Sequence, residues 1–188
     1  VEKGFELLEK HGIDALPVID GTKFLGMFTW YHTSQAFFRS GKSKEEFIKE
    51  TKVQEVAVNQ DVSLKLDDVF EKAIVELNDF PIIAVVDGTE FLGIVTRYDV
   101  MTQLESAFGM REEGTRITFT SVESEGRIGR LADIIEKYKE SVISLVTFDE
   151  TDKLVRRIVL KIKKKDNLER FLKELEKSGF RVMDIAED

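Results

Sequence analysis

Residues 20–32 read Asp-Gly-Thr-Lys-Phe-Leu-Gly-Met-Phe-Thr-Trp-Tyr-His, and residues 87–99 read Asp-Gly-Thr-Glu-Phe-Leu-Gly-Ile-Val-Thr-Arg-Tyr-Asp. Eight of these thirteen positions are identical, without a gap, at an offset of 67 (87 − 20). Identity of that density marks a tandem duplication. Two copies of one unit are expected to pack face to face about a pseudo-twofold axis. Ligand sites then come in pairs between the copies, so the repeat constrains function more than any single reactive side chain.

The composition narrows the options further. The chain has 188 residues, 42% hydrophobic and 34% charged, enough for one large or two small domains with real cores. No apolar run approaches the roughly 20 residues of a membrane span. There are no cysteines, so disulfides, thiolate nucleophiles and Cys-ligated metals are excluded. The net charge of −8 and pI near 5.0 argue against a general nucleic-acid binder. The cytoplasm is the default expectation. His11 and His32 are the only histidines, so no metal centre is expected. No nucleophile, metal or cofactor motif marks an enzyme, and none is expected.

Periodicity places the elements. A helix with Phe5, Leu7 and Leu8 on one stripe ends at Gly12. A short strand from Ala15 to Ile19, a turn at Asp20-Gly21-Thr22, a strand from Phe24 to Phe28 and a helix from Thr29 follow. The second copy repeats this order with Val69, Phe70, Ala73, Ile74 and Leu77 at helical spacing, strands at 82–86 and 91–95, and a helix from Thr96 to about Phe108. It adds a strand at 55–58 that has no counterpart ahead of Val1, so the first copy is expected to lack its N-terminal strand. Residues 109–114 read as a linker. Beyond it, alternation at 116–120, 142–148 and 157–163, helical stripes through Ile128, Leu131, Ile134 and Tyr138 and through Leu168, Phe171, Leu172 and Leu175, and a last strand at 180–185 spell βαββαβ, the ferredoxin-like order. Asp166 and Glu169 are expected to cap the last helix. Lys161, Lys163, Lys164 and Lys165 are expected on a solvated strand edge.

Each copy feeds a strand into a helix through Gly-x-x-Thr-x-x-(Asp or His). The unpaired N–H groups at such a helix start attract an anion, a Thr hydroxyl adds a donor, and an acidic residue three positions on can accept bonds from two sugar hydroxyls. Thr96 and Asp99 also fit an ordinary helix cap. Gly93 lets a ligand or strand come close. Arg97 can meet phosphate or lie solvated. Trp30 and Tyr31 can stack on a base or be partly buried.

On these residues the repeated unit resembles a CBS domain, and the pair a Bateman module. Leu16-Pro17-Val18-Ile19-Asp20, Ala84-Val85-Val86-Asp87 and Gly93-Ile-Val-Thr-Arg-Tyr-Asp99 carry the likeness. The resemblance implies an adenine nucleotide effector (AMP, ADP, ATP or S-adenosylmethionine), with no resident cofactor. Thr96 would face phosphate and Asp99 the ribose, with Gly93, Val95, Arg97, Ile83 and Ala84 around them. Thr29, His32, Val56 and Val58 would form a second, weaker site, because an imidazole lacks the paired oxygens of a carboxylate.

The C-terminal region resembles an ACT domain. Gly126-Arg-Ile-Gly-Arg-Leu131 corresponds to that family's effector turn and Val142-Ile143-Ser144 to its second strand, so Gly126, Ile128, Gly129 and Leu131 are the implied amino-acid contacts. The full order resembles the acetoin-utilisation-protein group of CBS–ACT proteins. The expected fold class is α+β: CBS repeat 1 at 1–52, CBS repeat 2 at 53–108, the linker at 109–114 and an ACT domain at 115–188. The expected function is a ligand-sensing regulator, a homodimer with a partner enzyme or transporter. A ligand-free docking module is the alternative.

Overall fold

The computed structural model describes residues 1–122, 124–150 and 155–188, with Glu150 described by its backbone alone. The expected ACT range 115–188 therefore contains five positions, Glu123 and 151–154, that lie outside the described residues. The chain forms two compact units, Val1–Met101 and Thr102–Asp188.

The first unit runs α1 (Glu2–His11), β1 (Ala15–Asp20), β2 (Lys23–Thr29), α2 (Trp30–Ser40), α3 (Lys44–Glu50), one 3-10 turn (Val53–Glu55), β3 (Ser63–Leu64), α4 (Phe70–Glu76), β4 (Ile82–Asp87) and β5 (Glu90–Thr96), and takes in the start of α5 (Arg97–Ala107), which continues past Met101. Its sheet has the order β1-β2-β5-β4-β3. The β1–β2 and β4–β5 hairpins turn through Gly21 and Gly88, at φ of 60° and 59°, values that glycine adopts without steric cost. The two hairpins meet tip to tip with twofold reciprocity. Phe24 N–H donates to Thr89 O at 3.0 Å, and Phe91 N–H donates to Thr22 O at 2.7 Å. The duplication seen in the sequence is thus a duplication in space. A shared core of Ala15, Phe24, Met27, Phe80, Ala84 and Val86 lies between the copies.

One sequence expectation fails here. Residues 55–58 are not a strand. Val53–Glu55 is a single 3-10 turn, and only Val58 bridges to β2, through Met27. The chain then turns at Asn59, whose φ of 56° is left-handed, and reaches β3, which pairs in parallel with β4 through Ser63–Ala84 and Leu64–Val85. Asn tolerates that backbone region, and its turn breaks the expected strand into a bridge and a later pair.

The second unit runs β6 (Thr115–Val122), α6 (Arg127–Lys137), β7 (Val142–Glu150), β8 (Val155–Ile162), α7 (Leu168–Lys177) and β9 (Arg181–Glu187). The strand order β7-β8-β6-β9, antiparallel throughout, is the ferredoxin-like topology expected from the sequence. Its core joins Ile117, Phe119, Ile158 and Leu160 of the sheet to Leu131, Ile134, Phe171 and Leu175 of the helices.

Three local expectations need correction. Residues 109–114 do not hang between units. Gly109 and Phe108 carbonyls accept from Lys161 Nζ and Ser144 Oγ, at 3.0 Å each, so the stretch packs onto the second unit. Lys161 is buried rather than solvated, because β8 is an inner strand; its ammonium also reaches the Asp188 carboxylate. Asp166 and Glu169 form no cap: α7 starts behind Asn167 without a side-chain bond.

Candidate functional site at the meeting of the two repeats

The two pseudo-equivalent helix starts, at α2 and α5, carry the same threonine but different chemistry. In the second repeat Asp99 Oδ2 accepts from the Thr96 N–H at 2.8 Å and from the Thr96 hydroxyl at 2.7 Å, while the Asp99 N–H donates to Thr96 Oγ1 at 3.1 Å. Hydrogen bonds from the Thr96 hydroxyl, then from its backbone N–H, hold the Asp99 carboxyl below the ordinary aspartate range. Asp99 therefore caps its own helix and neutralises the positive end of it. One of its oxygens is committed to that role.

In the first repeat the N-terminus of α2 has no acidic residue in its first turn. Thr29, buried, accepts from the His32 N–H at 3.1 Å, and its Oγ1 lies 2.9 Å from His32 Nδ1. The His32 ring stacks on Phe80 of the second repeat at 5.9 Å between centroids and meets Tyr31 edge-on at 5.0 Å. Trp30, half exposed, stacks on Phe5 at 4.0 Å. The dipole end of α2 is left open to an anion.

These groups line one cavity of about 380 Å³. Thr29, Trp30, Tyr31 and His32 come from the first repeat, Phe80, Pro81 and Arg97 from the second, and Asp14 and Asp79 from the loops that lead into β1 and β4. Arg97 is exposed, yet its guanidinium is held by the protein itself. Its Nε donates to Leu77 O at 2.8 Å and its Nη2 to Asn78 O at 2.9 Å, which satisfies carbonyls at the end of α4 and fixes the guanidinium beside the cavity.

The structure thus brings Thr29, His32 and Arg97 together. It places Thr96 and Asp99 at the pseudo-equivalent helix start, with Gly93 and Val95 on β5 leading to it. Ile83 and Ala84 are buried in the sheet, Val56 is buried against the core of the first repeat, and Val58 makes its bridge to Met27. Phe80, Pro81, Asp14 and Asp79 were not singled out in the sequence. Phe80 and Pro81 precede β4 as Ile13 and Asp14 precede β1, so the offset of 67 could have found them. In the second unit Gly126 is the left-handed cap of α6 at φ 78°, Ile128 is exposed, Gly129 has no neighbour in reach of an added Cβ, and Leu131 is in the core. A separate cavity of about 420 Å³ in that unit is lined by Lys161, Ser144, Arg116 and Asp188 among others.

Among the described residues no group of three or more His, Cys, Asp or Glu side chains is placed to hold a metal ion. None of the described helices is long and apolar enough to cross a membrane.

Comparison with known proteins adds the following. The CBS-domain family model matches residues 53–106. A CBS domain-containing protein of unknown function from Bacillus anthracis is 32% identical, over 55% of this chain and 77% of that one, with a TM-score of 0.47. A hypothetical conserved protein from Geobacillus kaustophilus is 31% identical, over 55% and 79%, with a TM-score of 0.48. The CbpB protein of Listeria monocytogenes, in a crystal structure with c-di-AMP, is 28% identical, over 55% and 79%, with a TM-score of 0.48. No curated protein matches the chain.

Proposed function

Because this chain belongs to the CBS-domain proteins, we propose that it is a regulatory sensor whose first unit binds an adenine nucleotide in the cavity between α2 and Arg97. One observation carries the reading. Aromatic faces, a fixed guanidinium, an uncompensated helix start and two carboxylates line a single cavity of about 380 Å³, within the roughly 300–1,000 Å³ typical of small-molecule sites. The parts divide naturally among those of a nucleotide. Trp30, Tyr31 and Phe80 offer ring faces to the base. Arg97 and the α2 N-terminus attract phosphate. Asp14 and Asp79 supply acceptors for ribose hydroxyls. The Thr96/Asp99 helix start is a second position of lower affinity, since Asp99 already serves Thr96.

The compounds to test are AMP, ADP, ATP, S-adenosylmethionine and c-di-AMP, the last because the Listeria protein was crystallised with it. Isothermal titration with each, repeated on Phe80→Ala and Arg97→Ala, tests the proposal. One compound should bind saturably and lose at least about tenfold in affinity in both variants. The second unit, with its ferredoxin-like topology, would serve as an ACT-type dimer contact or hold a second effector such as an amino acid. Dimer mass by light scattering, with and without amino acids, tests that part.

A second reading is a ligand-free docking module for a partner enzyme or transporter. The capping role of Asp99 is the observation that favours it. Purification with a stable protein partner and no bound nucleotide would support it against the first.

A further inference from the structure

The cavity of about 420 Å³ in the second unit lies where three neighbouring strands meet one crossing segment. Ser144 on β7, Lys161 on β8 and Arg116 on β6 are register partners, so they form one row across the sheet. Side chains alternate along a strand, and Ile117, Leu160 and Ile162 fill the core under α6 and α7. The row therefore lies on the sheet's other face, and Val159, two residues from Lys161, shares it.

Residues 109–114 pass over this face and are pinned at both ends by glycines. A Cβ on Gly109 would meet Ile143 Cγ2 at 2.6 Å, and one on Gly114 would meet Ile162 O at 2.5 Å. Between these two close approaches, Met110, Arg111, Glu112 and Glu113 line the cavity as its wall. The hollow is thus built by the path of the backbone.

Its floor holds two buried polar groups of opposite capacity. Lys161 is 5% exposed and Ser144 is 6% exposed. Lys161 Nζ donates to Gly109 O and to the Asp188 carboxylate, which leaves one N–H of the ammonium uncommitted among the described residues. Ser144 spends its only hydroxyl hydrogen on Phe108 O at 3.0 Å, so toward a ligand its oxygen can only accept. Lys161 and Arg116 stand opposite each other, and like charges so placed repel, which an anion between them relieves. The Asp184 carboxylate lies 3.7 Å from Arg116, too far for a hydrogen bond. Phe108, Met110 and Val159 supply apolar wall.

We propose that this cavity binds a small organic carboxylate that carries a hydrogen-bond donor on the adjacent carbon and an apolar tail. The carboxylate takes the remaining N–H of Lys161 and the Arg116 guanidinium. The donor meets Ser144 Oγ, and the tail lies against Phe108, Met110 and Val159. The site sits at the start of β6, the opposite end of that strand from the turn at 126–131. It stands whether or not the first unit binds a nucleotide.

Both 2-hydroxy and 2-amino acids have this chemistry, and the test separates them. The isotope-labelled full chain is titrated with 2-hydroxy-4-methylpentanoate, leucine, 4-methylpentanoate and acetate, with amide shifts followed by NMR. One of the first two should bind saturably and shift the amides of residues 110–113, 144, 159 and 161, but not those of 126–131. The acid without the donor should bind at least about tenfold more weakly, and acetate more weakly still. Arg116→Gln, at a side chain exposed enough to leave the fold intact, should weaken binding by about tenfold or more. The proposal is overturned if neither of the first two compounds binds, or if the shifts centre on 126–131 or on the first unit. Acetate bound as tightly as the longer acids, or an affinity untouched by Arg116→Gln, would overturn it as well.

Discussion

Replacing Gly26 and Gly93 by alanine, one at a time, applies the same chemistry to twin positions with opposite expected outcomes. At Gly26 the backbone has a φ of 128°, a region L side chains rarely adopt. Holding alanine there costs about 1–3 kcal/mol. The new Cβ would also press on Val58 O at 2.8 Å, a backbone atom held by the bridge to Met27, and overpacking of that sort adds about 1–3 kcal/mol. Against this, alanine lowers the entropy of the unfolded chain by about 0.4–1 kcal/mol. The net expectation is a loss of about 1–6 kcal/mol, at about 4–8 °C per kcal/mol in the melting point of a unit this size. At Gly93 neither penalty applies, so only the unfolded-state gain remains and stability should rise by up to about 1 kcal/mol. Urea unfolding followed by tryptophan fluorescence reads both, since Trp30 is the only tryptophan and lies in this unit. Equal effects of the two substitutions, or a neutral Gly26→Ala, would refute the idea that the passage of residues 57–58 over β2 explains the glycine.

Other consequences follow from the same geometry. Arg97→Ala removes the two bonds to Leu77 and Asn78 carbonyls and should cost about 1–2 kcal/mol in urea unfolding. The stabilising share of the Asp99 carboxylate, whose folded-state pKa is lowered by Thr96, is present above the ordinary aspartate value and is lost as pH falls through the lower folded value. Asp99→Asn should therefore flatten the acid limb of the stability profile, read by thermal melts across pH. Leu131→Ala, at the centre of the second core, should lose about 2–5 kcal/mol in the second unit alone. Glu140 is buried with no hydrogen bond to either carboxylate oxygen and with Lys165 Nζ at 3.9 Å, so Glu140→Met should leave the second unit as stable or raise its melting point.

What could be read from the sequence was governed by how local its cause is. The hairpins were legible because Gly21 and Gly88 sit between alternating strands. The βαββαβ order was legible because its periodicities switch cleanly between two and 3.6. Residues 55–58 misled because their apolar spacing suits a strand, while the turn at Asn59 and the passage over Gly26 are set by the partner repeat. Lys161 misled for a similar reason: only the sheet order shows that β8 is internal, with Asp188 and the Gly109 carbonyl waiting for its ammonium. For the site, the Thr-x-x-(Asp or His) signal located both helix starts. The capping alternative for Thr96 and Asp99 is the one the bonds bear out, but the signal could not show that Arg97 is fixed by α4 at the edge of the Thr29 and His32 cavity.

The most direct measurement is a crystal structure of the protein soaked with the tightest-binding of the adenine nucleotides. The account predicts density in the cavity between α2 and Arg97, with the base against Phe80 or Trp30 and a phosphate near the N–H groups that follow Thr29. A nucleotide seated elsewhere, or a protein that binds none of these compounds in solution, would contradict it.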